Sequence, residues 1–139
     1  LRLACRLLTA LGVRLKTTLH AVLTPRDFEV TGAVYHVDRV LALYSEGVGT
    51  VSIEVPKNGA YRIIVVARGD PAAGEAPIME VAVDDETLGT VSVWRAGLYQ
   101  FTANLTRGVH TISIAFTNDY YEPPEDRNLY VYYVLVREA

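Results

Sequence analysis

Read for its apolar and polar positions, the chain falls into two textures that meet near Pro25. In residues 1–24 ten of the twelve odd positions are apolar, against four of the twelve even ones. Alternation of that length predicts an extended segment with one buried face. A helical stripe through Leu1, Ala4, Leu8, Leu11, Leu15 and Val22 competes with it, and the leucine-rich composition has helix propensity of its own. Basic residues followed by LLTALGV also fit the remnant of an export signal, although Arg14 and Lys16 interrupt the apolar run. The three readings stay open, with the strand favoured by its cleaner period.

Beyond Pro25, short β-rich runs alternate with turn signals about every ten residues. The predicted strands are 34–37, 40–44, 50–55, 61–67, 78–83, 88–93, 98–103, 110–116 and 129–136. The punctuation is Glu46-Gly47, Asn58-Gly59, Gly69-Asp70-Pro71, Asp84-Asp85, Arg107-Gly108 and Pro123-Pro124. No segment here sustains a helical period. Nine short strands at this spacing predict an all-β antiparallel sandwich, a jelly roll, preceded by an extended strand-like arm. The expected organisation is an arm over residues 1–27 and a sandwich over 28–139.

Charge sharpens that division. The formal net charge of −3 is the sum of two unlike parts. Residues 1–27 carry five basic side chains against Asp27 alone, and residues 28–139 carry eight basic against fifteen acidic. A basic arm on an acidic domain argues against a nucleic-acid binder. No apolar run is long enough for an ordinary membrane-spanning helix. The single cysteine, Cys5, excludes an intrachain disulfide framework. The chain starts at Leu1 rather than Met, as a processed or incomplete start would.

Enzyme signals are weak. The chain has no phosphate loop, no paired histidine ligands and no nucleophile elbow, and His20, His36 and His110 stand isolated. The chemistry concentrates instead in two acidic stretches between predicted core strands. One holds Asp119, Glu122, Glu125 and Asp126 around Pro123-Pro124, and the other holds Asp70 and Glu75. Like charges so close together repel unless a cation offsets them, and an oxygen-only donor set suits a hard cation such as Ca²⁺. A solvated acidic loop is the alternative. Loops cluster at the ends of a sandwich, which would bring the two stretches together.

The segments FTNDYYEPPEDRNLYV (116–131), GVHTISIAF (108–116), ARGDPAAGEAPIMEVAVDD (67–85) and LGTVSV (88–93) give residues 28–139 a resemblance to a known family. The chain resembles the calcium-dependent carbohydrate-binding modules that bind xylan and related glycans. The resemblance implies a jelly-roll sandwich that binds sugar through calcium held by loop carboxylates. Carried over by position, it implies Asp119 and Asp126 as the leading calcium ligands, then Glu75, Asp70 and Asn118, with Arg127 and Asn128 holding the loop. Tyr132 stands where the family commonly has an acidic residue after LYV, which weakens a second calcium near the chain ends, for which Glu29 remains. The basic arm lies outside the family pattern.

Trp94, Tyr99, Tyr120 and Tyr121 are candidate sugar-stacking residues, with core packing the alternative for Trp94 and Tyr99. Asn104-Leu105-Thr106 is an N-glycosylation sequon, so Asn104 points towards an extracellular setting. The functional expectation is a secreted or cell-surface, non-enzymatic, calcium-binding sandwich with a glycan as partner. It assembles into a homo-oligomer or filament when Leu11, Val13, Leu15, Leu19 and Leu23 of the arm are donated to a neighbour's sheet. The alternative is a monomeric, calcium-dependent glycan-binding module detached from a secreted enzyme.

Overall fold

The computed structural model describes residues 19–139, and every described regular element except one short turn is a strand. In chain order these are β1 (Leu19–Leu23), β2 (Glu29–Val37), β3 (Val40–Val55), β4 (Gly59–Asp70), β5 (Ile78–Val83), β6 (Glu86–Ser92), β7 (Gly97–Leu105), β8 (Gly108–Phe116), β9 (Tyr120–Glu122) and β10 (Glu125–Glu138). A single 3₁₀ turn, Pro25–Asp27, joins β1 to β2. The Asp27 carboxylate accepts from the Thr24 backbone N–H at 2.8 Å and closes that turn.

All pairings are antiparallel and run β6-β5-β8-β3-β10-β4-β7, with β1 and β9 on β10 and β2 on β3. The long strands make this a sandwich, because they change partners along their length. In β3, Leu41–Leu43 pair with β10, whereas Gly47–Val55 pair with β8. The inward-facing positions follow the period of two: Ile63, Val65 and Ala67 of β4, Ile112, Ile114 and Phe116 of β8, and Leu129 and Val131 of β10. Packed side chains of this kind fill the space between layers and expel water, which drives folding.

Two expectations change. Glu46-Gly47 is not a turn: β3 runs through it, facing Gly32 of β2, where Gly47 leaves room that a Cβ would lose to Val34 and the Thr31 carbonyl. The end of the arm is also a strand of this chain's own sheet, since β1 pairs with β10 and Leu23 is buried in the core. Leu23 is therefore not a surface residue offered to a neighbour. Its burial follows from the alternation that made it apolar. Leu11, Val13 and Leu15 lie outside the described residues.

Candidate functional site

Both acidic stretches reach the same end of the sandwich, and their local structure follows from their sequence. Ala72 and Glu75 exchange backbone hydrogen bonds of 2.9 and 3.0 Å across a two-residue turn. Ala73 and Gly74 there adopt φ of 51° and 75°, the left-handed pair that such a tight turn requires. The 116–131 segment is a hairpin rather than a loop: β9 pairs with the start of β10, Tyr120 facing Arg127 and Tyr121 facing Asp126, with Pro123-Pro124 at the tip.

Arg127 joins the two stretches. Its side chain is only 5% exposed. Its guanidinium donates to the carbonyls of Glu75 at 3.2 Å, Asn118 at 2.6 Å and Ala72 at 2.7 Å. The planar fork of an arginine suits three such acceptors. Tyr120 lies over the same group at 5.3 Å. Asn118 makes a second bridge: its Oδ1 accepts from the Ile78 N–H at 2.6 Å and its Nδ2 donates to the Ala76 carbonyl at 3.0 Å. Asn118 thus acts as a strut between the two stretches, and its Oδ1 keeps a second lone pair for the ligand role the resemblance implies. Glycine is needed at 69 for the same closure, because a Cβ there would sit 2.3 Å from the Val93 carbonyl and 2.4 Å from Pro77.

The expected ligands divide by environment. Asp119 Oδ1 is buried and has no hydrogen-bond partner, and the same holds for Asn128 Oδ1. A buried, unpaired acceptor costs free energy unless water or an ion satisfies it. Asn128, expected to hold the loop, is thus a candidate ligand, and its place opposite Asp70 across β10 and β4 explains why the sequence alone did not show this. Asp70 is partly committed, with an Oδ1 3.0 Å from Arg68 Nη1. Burial, and then the Asp70 carboxylate, push the neighbouring Tyr130 hydroxyl up to about 12. The Glu75 carboxylate is 72% exposed and 3.7 Å from Arg127. Asp126 is exposed on the hairpin, and Glu125 accepts from the Ala73 N–H at 3.1 Å, tying the hairpin to the first turn. Among the described residues no three His, Cys, Asp or Glu side chains already converge as around a metal. Buried oxygens without a protein partner, such as these two, are the kind of donor a hard, oxygen-loving cation takes.

The aromatic candidates also separate. Trp94 and Tyr121 are exposed, at 53% and 69%. Trp94 follows Val93, whose N–H donates to the Pro77 carbonyl at 2.9 Å, so it borders the acidic end. The Tyr120 hydroxyl donates to Glu122 at 3.1 Å. Tyr99 is half-buried against the core and donates its hydroxyl to the Arg95 carbonyl at 2.6 Å, the packing role that was the alternative for it. Asn104 is exposed on β7, and Glu29 is exposed at the start of β2.

The molecule is thus an antiparallel β-sandwich with a pair of acidic turns tied together at one end, two buried oxygens there lacking a protein partner. The chain belongs to the family of Ca-dependent, xylan-binding carbohydrate-binding modules, whose family model matches residues 62–139. No curated protein matches the sequence. Among solved structures, the chain is similar to a family 36 carbohydrate-binding module of a multidomain xylanase from the hindgut metagenome of Trinervitermes trinervoides. The TM-score is 0.67 at 14% identity, covering 86% of this chain and 97% of that one. It is also similar to a family 36 module in complex with calcium and xylotriose (TM-score 0.62, 15% identity, 86% and 99% covered). A third likeness is to a family 35 module from Clostridium thermocellum (TM-score 0.61, 16% identity, 86% and 98% covered). At these identities the likeness establishes the fold, an antiparallel β-sandwich of the carbohydrate-binding-module type.

Proposed function

We propose that this domain binds xylan-type glycans in a calcium-dependent way, as a binding module without catalysis of its own. The observation that carries the reading is the pair of buried, unpartnered oxygens, Asp119 Oδ1 and Asn128 Oδ1, in a family defined by calcium dependence. Asp119 and Asn128 hold the ion, with Asp126, Asp70 and Glu75 as the surrounding carboxylates. When bound, calcium supplies positive charge and coordination positions that saccharide hydroxyls fill. Arg127 and Asn118 keep the two turns together, so little ordering remains to be done on binding. Trp94 and Tyr121 offer apolar faces to pyranose rings beside the ion.

The setting for such a module is extracellular, where its polysaccharide lies and where the Asn104 sequon is usable. The monomeric module is the better-supported form of this reading. Filament formation through the arm gains nothing from the described residues, because β1 completes this chain's own sheet.

Calorimetry with xylohexaose, in calcium and then in EDTA, tests the proposal. Heat of binding is expected in calcium and not in EDTA. Binding in neither condition, or equal binding in both, would overturn it.

A further inference from the structure

Tyr35 and Tyr44 are large, exposed aromatics, at 53% and 37%, that the calcium end does not use. They stand on β2 and β3, and Tyr130 of β10 joins them. Register explains the grouping. Tyr35 and Tyr130 both face Ala42 of β3 from opposite sides, and Tyr44 lies two residues further along the same face. Ala42 is fully buried between them, a small residue that lets the three rings close over the strand. Ring centroids step 5.9 Å from Tyr35 to Tyr44 and 6.2 Å from Tyr44 to Tyr130.

The row does not stop there. Tyr130 faces Arg68 of β4, whose guanidinium lies 4.1 Å over its ring. Arg68 also holds Asp70 at 3.0 Å and donates to the Tyr132 hydroxyl at 2.9 Å. Two register steps further, on the same face, Asp70 faces Asn128 of the candidate calcium end. An aromatic row exposed at Tyr35 and Tyr44 passes, through a half-buried Tyr130 set at 82° to Tyr44, into an arginine–carboxylate pair, so apolar ring surface lies next to fixed hydrogen-bonding groups. A pyranose has that same pairing of a C–H face with equatorial hydroxyls.

We propose that Tyr35, Tyr44 and Tyr130, with Arg68 and Asp70, form an extended binding strip for a linear pyranose polysaccharide, along which the chain runs outwards from the calcium end. The strip rests on the glycan-binding reading given above and adds where the rest of the polymer lies. Stepwise rings about one sugar apart select chains over short oligomers. The tyrosines contribute little to a disaccharide seated at the ion.

The test compares wild type with the double variant Tyr35→Ala, Tyr44→Ala. Calorimetry in calcium uses xylohexaose and xylobiose, and a separate titration follows calcium alone. The strip predicts at least tenfold weaker hexaose binding, about 1.4 kcal/mol, with biose and calcium affinities within twofold of wild type. A second readout needs no variant: the ring protons of Tyr35 and Tyr44 should shift in NMR spectra of wild type on adding xylohexaose. Hexaose binding within twofold of wild type, with unmoved ring protons, overturns the strip and leaves the calcium site standing. Wild type that binds neither saccharide overturns both.

Discussion

Replacing Arg127 by lysine keeps the positive charge and most of the stem but removes the fork. The arginine holds three backbone carbonyls, those of Ala72, Glu75 and Asn118, from a side chain only 5% exposed. An ammonium on that stem has three donors but on a single nitrogen, so it cannot span carbonyls now reached by Nε, Nη1 and Nη2, and about two acceptors should be left in a largely dehydrated junction. Hydrogen bonds to charged groups contribute roughly 1.5–3 kcal/mol each. The loss of two, softened by entering water, should therefore cost about 3 kcal/mol. For a domain of this size that lowers Tm by on the order of 10 °C. The same change leaves the 72–75 turn tied to the hairpin chiefly through the Glu125–Ala73 bond, so calcium affinity should fall together with stability. Urea unfolding with and without calcium, alongside a calcium titration, measures both. Arg127→Lys within 0.5 kcal/mol of wild type (about the noise of a surface substitution) and with unchanged calcium affinity would refute the idea that this guanidinium builds the site.

Three further outcomes follow from the geometry. Gly69→Ala forces a Cβ against the Val93 carbonyl and Pro77, so it should destabilise the fold by about 1–3 kcal/mol in urea melts. Tyr99→Phe removes one hydroxyl bond to the Arg95 carbonyl, so it should cost about 1 kcal/mol in urea melts, and unchanged stability would show that the bond contributes nothing. His110 lies between the Asp84 carboxylate at 2.5 Å and the Thr106 carbonyl at 2.6 Å, and only a doubly protonated ring donates to both. The Thr106 carbonyl, then Asp84, raise its pKa above 6.5, while the Thr111 N–H, then His110, lower that of Asp84 below 3.8. The histidine's contribution is thus complete below pH 6.5 and lost as pH rises through its folded value. That of Asp84 is present above 3.8 and lost as pH falls through its own. The stability gap between wild type and His110→Gln should accordingly shrink from pH 6 to pH 8, and a gap that stays constant across that range would show that folding does not raise the ring's pKa.

The strands were legible because each carries its own signal, a run of alternating or β-branched residues between turn formers. Glu46-Gly47 was misread because glycine marks a turn and a close strand approach alike, and only the facing Gly32 of β2 tells them apart. The acidic turns were legible as a pair from composition and spacing, and Arg127 as a holder of the loop only through the family resemblance. The division of labour among Asn118, Asp119 and Asn128 was not. Whether an amide satisfies a backbone N–H or points at a vacant position depends on partners tens of residues away, such as Ile78 and Ala76. The tyrosine row was hidden for the same reason. Tyr35, Tyr44 and Tyr130 sit on three strands, and nothing in their local sequence sets the register that brings them together.

The central claim is that calcium satisfies the two orphaned oxygens at the acidic end. A crystal structure of the domain grown in calcium tests it most directly. The account predicts an ion with Asp119 Oδ1 and Asn128 Oδ1 both in its coordination shell, at about 2.3–2.6 Å. An ion bound elsewhere, or these two oxygens paired to protein donors with calcium present in excess, would contradict it.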